Sequence, residues 1–132
     1  MTYALDTNII INLLKNRPNV NKCLNDAVGS KIAVVIPPFV HYEILRGFFY
    51  KQSPSKEIAY QNMAANCPIG VMSTQILERA AKIYAILRKS GSTIGDADIM
   101  IAAFCIENGY TLVTTNTKHF KNVHGLQLAD WT

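Results

Sequence analysis

Apolar and polar positions along the chain switch between a strand-like and a helix-like period. Thr2 to Leu5 is a short extended run that passes straight into Asn8-Ile9-Ile10-Ile11. The pattern predicts a strand closing at Leu5, then a helix capped by Asp6 or Thr7 that reaches about Lys15 and ends at Arg17-Pro18. A second helix is predicted from Asn19 to Val28, stopped by Gly29-Ser30. Ile32-Ala33-Val34-Val35-Ile36 is a continuous apolar run of the kind expected of a strand buried on both faces, and Pro37-Pro38 ends it. From Phe39 to about Lys51 the period is helical, with Phe39, Glu43, Gly47 and Tyr50 on one stripe.

Pro54 opens a further helix to about Ala65, and Cys67-Pro68 breaks it before Ile69-Gly70-Val71-Met72, a predicted third strand. Thr74 is the expected cap of the clearest amphipathic helix, in which Leu77, Ala80, Ala81, Tyr84 and Leu87 form the buried stripe and Ser90-Gly91 the stop. Gly95-Asp96 starts another helix, and Asn108-Gly109 is a strong left-handed termination signal. Thr111 to Thr115 reads as a strand, Thr117 to Lys121 as a helical turn, and Leu126-Gln127-Leu128 as a short last strand.

Strands alternating with helices imply a parallel sheet, because parallel strands need crossovers and these are normally helical. The expected fold is therefore α/β: one domain spanning residues 1–132, with a central, mainly parallel sheet of about five strands and helices on both faces. In such sheets ligands bind beyond the carboxyl ends of the strands. Asp6 follows the first strand, Glu43 lies in the helix after the second, and Asn116 comes just after the strand at 111–115.

Composition narrows the chemistry. With 49% hydrophobic and 17% charged residues, disorder is excluded. No apolar run approaches the roughly 20 residues that cross a bilayer. With no signal-peptide pattern at the N-terminus, a soluble cytosolic protein without membrane contact is expected. The cysteines, Cys23, Cys67 and Cys105, are far apart with no Cys-x-x-Cys or histidine at ligand spacing, so reduced thiols are expected and zinc is not. A net charge of +4 makes acidic partners plausible, nucleic acid first among them, although the Lys and Arg residues are scattered as on an ordinary solvated surface.

The carboxylates carry the sharper signal. Asp6 interrupts an apolar run, and an ionised carboxylate is rarely taken out of water without compensation. In the helix from Gly95, Asp98 shares a face with Ile101, Ala102 and Cys105, while Asp96 lies nearly opposite and suits a cap or a dipole role. Glu43 has Phe39, Gly47 and Tyr50 at helical spacing, and Arg46 three residues on offers it a competing local ion pair. Three inward-facing acids from three segments would repel one another, an arrangement that persists when a hard cation holds it. Mg²⁺ or Mn²⁺ prefers oxygen ligands and pairs with phosphate oxygens, which suits phosphodiester cleavage.

Taken together, Leu5-Asp6-Thr7-Asn8-Ile9-Ile10-Ile11, Tyr42-Glu43-Ile44-Leu45-Arg46-Gly47, Ile94-Gly95-Asp96-Ala97-Asp98-Ile99-Met100-Ile101-Ala102-Ala103, Leu112-Val113-Thr114-Thr115-Asn116-Thr117-Lys118-His119-Phe120 and the closing Asp130-Trp131 resemble a PIN-domain ribonuclease, more narrowly the VapC toxins of bacterial type II toxin–antitoxin pairs. The resemblance spans essentially the whole chain. It implies a Mg²⁺- or Mn²⁺-dependent endoribonuclease, acting on tRNA, rRNA or mRNA and so inhibiting translation, in which Asp6, Glu43 and Asp98 match the metal-binding and catalytic acids, Glu43 through a water. Thr7, Asn8 and Asn116 match polar positions that orient the acids or their waters, with Asp96 in a supporting place. It also implies a homodimer and a VapB-type antitoxin that blocks the site within a larger assembly. Many relatives carry a fourth acid where Asn116 or His119 stands, and this chain has a carboxylate at neither.

Two other classes compete with the nuclease. A PIN-like module that binds RNA or protein with little or no nuclease activity is favoured only by the missing fourth acid. A phosphatase using Asp6 as nucleophile fits poorly, since no Asp-x-Asp and lysine arrangement follows the first strand.

Overall fold

In a computed structural model that describes all of residues 1–132, the N-terminal extended run forms β1 (Thr2–Leu5) and lies inside a four-stranded sheet. The other strands are β2 (Ala33–Val35), β3 (Thr111–Val113) and β4 (Gln127–Ala129), in the order β2-β1-β3-β4. Every pairing is parallel, with Leu5 opposite Val113 and Tyr3 opposite both Val34 and Thr111. The helices that carry the crossovers are α1 (Thr7–Leu14), α2 (Pro18–Gly29), α3 (Pro38–Tyr50), α4 (Pro54–Ala64), α5 (Thr74–Ser90), α6 (Asp96–Asn108) and the short α7 (Thr117–Phe120). This is the α/β architecture expected of the alternating pattern. No helix is long and apolar enough to cross a membrane.

The sheet has four strands rather than about five. Ile69 to Met72 does not form the predicted third strand and contributes a single parallel bridge, Ile69 to Ile36, closed by Ile36 N–H to Pro68 O and Gly70 N–H to Ile36 O. The ladder stops there because Pro37 and Pro38 have no N–H to donate and Pro38 already opens α3. The run at 32–36 also differs from expectation. As an edge strand β2 buries Val34 but leaves Ala33 exposed.

α6 is apolar nearly all round, burying Ile99, Ile101, Ala102, Ala103, Phe104 and Cys105, because it packs against α5, α3 and β3 together. It ends where expected, at Gly109, whose φ of 70° suits a residue without Cβ. α5 is rotated relative to the predicted stripe. Ile76, Ala80, Ile83 and Leu87 face α6, whereas Leu77, Ala81 and Tyr84 are exposed, and Ser73 rather than Thr74 is the cap, its Oγ accepting from Ile76 N–H at 3.2 Å. Two apolar stripes overlap in that sequence, and the one with a partner helix wins. In α3 the buried residues are Val40 and Ile44. Gly47 and Tyr50, placed on the Glu43 stripe by periodicity, are exposed. At the C-terminus Trp131 is buried edge-on against Tyr3, which ties the tail to β1.

The bridge at Ile69 brings backbone unusually close to α6. A Cβ on Gly70 would overlap the Phe104 ring and lie 3.3 Å from Pro38 Cδ. Gly70→Ala is therefore expected to destabilise the protein by about 1–3 kcal/mol, the usual cost of overpacking. Urea unfolding should show this loss, and trimming the ring with Phe104→Leu in the Gly70→Ala background should return part of it. A Gly70→Ala variant as stable as the parent would refute the close packing.

Candidate active site

Leu5 ends β1, but its pairing with β3 continues one step, through Asp6 N–H to Val113 O at 2.9 Å. The chain then turns into α1, with Asp6 as the N-cap. Its Oδ1 accepts from Thr7 N–H at 2.8 Å and its Oδ2 from the Thr114 hydroxyl at 2.7 Å. Only 5% of Asp6 is exposed. Burial pushes its carboxyl above the ordinary value of 3.8, the bonds from Thr114 and Thr7 pull it down, and the negative charges of Asp98 and Glu43 push it up again. The net direction is upward. Asp6 feels negative charge from two other segments of the chain, α3 and α6.

Glu43, on α3, accepts from the Thr7 hydroxyl through Oε1 at 2.8 Å, and its Oε2 lies 3.6 Å from the Arg46 guanidinium. The competing local ion pair is thus present, but it engages one oxygen while Thr7 ties the other to the start of α1. Asp98 occupies the first turn of α6, with Oδ2 2.8 Å from His119 Nε2. Asn8 reaches the opposite strand end, its side-chain oxygen accepting from Thr115 N–H at 3.3 Å. Asn116 is exposed and takes part through its backbone, N–H to Thr114 Oγ1 at 3.0 Å.

Asp96 stands apart. It is exposed at the first residue of α6 and is not among the charges acting on Asp6. Gly95 is the N-cap and no side chain caps that end, so of the two roles foreseen for Asp96 the dipole interaction is the one available.

One residue at the site, Thr114, is not singled out by the sequence, and a second, His119, is noted there only as a position where relatives carry an acid. Thr114 is fully buried and holds Asp6 directly, and the signal for it is the parallel register, since the residue after Val113 must face the residue after Leu5. His119, which by sequence alone reads as a surface histidine, instead touches Asp98. Only its place three residues beyond Asn116, near the carboxyl ends of the strands, hints at this.

The available donors are carboxylate, hydroxyl and amide oxygens, a set that suits a hard divalent cation. No three His, Cys, Asp or Glu side chains are gathered closely enough to cage an ion. The acids converge as a field and remain open as a ligand set, which is how Mg²⁺ is usually held, by one or two carboxylates with waters completing the shell. A groove of about 370 Å³ opens on Thr7 and Glu43 and runs past Phe48 to Lys51 and Lys56, so cationic side chains share a groove with one of the three acids, Glu43.

The chain is similar to known proteins over its whole length. The PIN domain family profile matches residues 3–126. Over 140 aligned residues the chain is 31% identical to ribonuclease VapC1 of Haemophilus influenzae strain R2866, covering 100% of this chain and 99% of the relative. It is 28% identical to the tRNA(fMet)-specific endonuclease VapC of Shigella flexneri, covering 100% and 99%. Its fold superposes with a TM-score of 0.91, at 25% identity and full coverage of both chains, on a chain in the crystal structure of VapBC2 from Rickettsia felis bound to a DNA fragment from their promoter.

The raised carboxyl of Asp6 has a consequence for stability. Because the folded state binds this proton more tightly than the unfolded chain, the ionised side chain opposes folding; that penalty is absent below pH 3.8, grows as pH rises from there toward the folded value, and is full above it. In EDTA, Asp6→Asn is expected to raise Tm at pH 7 and to lose that advantage in acid. An Asp6→Asn protein no more stable than the parent at pH 7, or one whose advantage persists below pH 3.8, would contradict an upward shift of this carboxyl.

Proposed function

Because the chain belongs to the PIN-domain family, and within it to the VapC ribonucleases, we propose that it is a metal-dependent endoribonuclease toxin, cleaving RNA phosphodiester bonds and restrained by a cognate antitoxin. The observation that carries this is the buried Asp6 carboxylate on which the charges of Glu43 and Asp98 converge. Such a field is costly to maintain without a cation, and its position beyond the carboxyl ends of β1 and β3 is where an open parallel sheet binds its ligand.

Asp6 and Asp98 would hold the ion, Mg²⁺ or Mn²⁺, with Glu43 joining through a water. A bound ion of this kind supplies polarisation of the scissile phosphate and a water acidic enough to attack it. Glu43, held at Oε1 by the Thr7 hydroxyl, would serve as a proton acceptor beside the site. Thr7, Thr114 and Asn8 lock the strand ends so that the acids keep their spacing. Lys51 and Lys56 on the adjoining groove would draw in the RNA backbone.

The antitoxin is the expected protein partner, since relatives of this fold occur in VapBC complexes, one of them bound to promoter DNA. A blocking segment must cover Glu43, and the groove that reaches it has apolar walls, Ile11, Leu14 and Phe48, on which a partner chain could pack. Exposed aromatic and aliphatic side chains on α3 and α5, including Phe49, Tyr50 and Ile86, support a homodimer. Action on cellular RNA implies a cytoplasmic protein.

Purified chain free of antitoxin, incubated with total RNA in Mg²⁺ or Mn²⁺, should give discrete fragments, lost with EDTA and reduced to background in Asp98→Asn. Binding without cleavage, unchanged in Asp98→Asn, would instead favour a PIN-like binding module. In cells, expression alone should arrest growth, and co-expression of the antitoxin should restore it.

A further inference from the structure

His119 has no part in the chemistry of the three acids, yet its ring meets Asp98 directly, Nε2 to Oδ2 at 2.8 Å across 21 residues of sequence. The contact is held from behind. Phe120, the next residue, is buried in the core, the two rings meet edge to face at 5.4 Å, and His119 N–H donates to Asn116 O at 2.9 Å to close the turn. A carboxylate only accepts, so Nε2 is the donor in this pair.

The remaining oxygens of the cleft show what the contact does. Both oxygens of Asp6 accept hydrogen bonds, from Thr7 and Thr114, and Glu43 is engaged at Oε1 by Thr7 and at Oε2 by Arg46. Asp98 is engaged at Oδ2 alone, and no protein donor reaches its Oδ1. A hydrogen bond to one oxygen of a carboxylate fixes the plane of the group and leaves the other oxygen to a ligand, as outer partners of metal-binding side chains commonly do.

We propose that His119 is a positioning residue of the metal site: by donating to Oδ2 it orients Asp98 so that Oδ1 is presented to a divalent cation. The proposal rests on the nuclease function and adds to it a role for a histidine that meets one of the acids directly. His119 acts through Asp98 and touches neither ion nor substrate.

The test is Mn²⁺ affinity, measured by isothermal titration calorimetry on the antitoxin-free chain, its His119→Ala and His119→Leu variants, which lack the donor, and His119→Gln, whose amide nitrogen offers a donor at similar reach. The Ala and Leu variants should bind Mn²⁺ about 10–100-fold more weakly, the range typical of losing such an outer partner, with Tm in EDTA unchanged, and Gln should recover most of the affinity. If the Ala variant does not fold, the Leu and Gln pair gives the same comparison. Parental affinity in the Ala and Leu variants, or affinity in the Gln variant as weak as theirs, overturns the role of His119. In the first case a parent chain that binds Mn²⁺ and cleaves RNA leaves the nuclease function standing. A parent chain that binds no Mn²⁺ and leaves RNA intact removes both.

Discussion

A negative charge buried at the end of the inner strand β1 sets the conditions that the surrounding structure meets. Asp6 leaves the sheet at the point where β1 and β3 stop pairing, and its carboxylate turns into a space closed by the start of α1 and by Thr114. Desolvation of such a group is unfavourable by several kcal/mol unless hydrogen bonds and a cation offset it. The hydrogen bonds are local and come from Thr7 and Thr114. They depend on the parallel register of β1 and β3, because a shift by one residue would swing Thr114 to the other face of the sheet. Thus the sheet register, the first turn of α1 and the acid at the site are one arrangement.

Much of this was legible in the chain. Alternating strand and helix patterns implied a parallel α/β sheet, and in that sheet the residue after β1 had to sit at the ligand-binding edge. Asp6 was conspicuous because a charge in an apolar run needs a reason. Asp98 stood out for the same cause, an acid sharing a face with buried residues. What escaped was set by contacts between elements. The rotation of α5 depends on which of two apolar stripes meets α6, a choice that periodicity within one helix does not contain. The lost strand at 69–72 was hinted at by Pro37-Pro38, whose missing N–H groups leave an edge nothing can extend. Thr114 and His119 reach their acids across 108 and 21 residues, and neither has a local pattern that announces it.

The balance of charge over the molecule divides its labour. The chain carries a net +4, yet its site is a concentration of acid. Scattered lysines and arginines raise the local concentration of a polyanion, as non-specific attraction does for nucleic-acid-binding proteins. Bare carboxylates at the site would push the same polyanion away. A bound cation would reconcile the two, because it would cancel the repulsion only where the acids lie, so that attraction would be general and reaction confined.

Folding must nevertheless succeed before any ion arrives, and the pairing of the acids shows how. No buried side-chain polar atom lacks a hydrogen-bond partner. Asp6 has two neutral donors, whereas the more exposed Glu43 and Asp98 have basic partners, Arg46 and His119. The difference follows burial. A cationic partner for Asp6 would itself have had to be desolvated, while Arg46 stays in contact with water, where its ion pair with Glu43 forms and loosens at little net cost, and the half-exposed His119 meets Asp98 through a hydrogen bond. The buried acid is therefore held by neutral donors alone, and the outer two also by basic groups that stay in contact with water. A cation entering the cleft would meet acids already hydrogen-bonded in place, Asp6 the most buried of them.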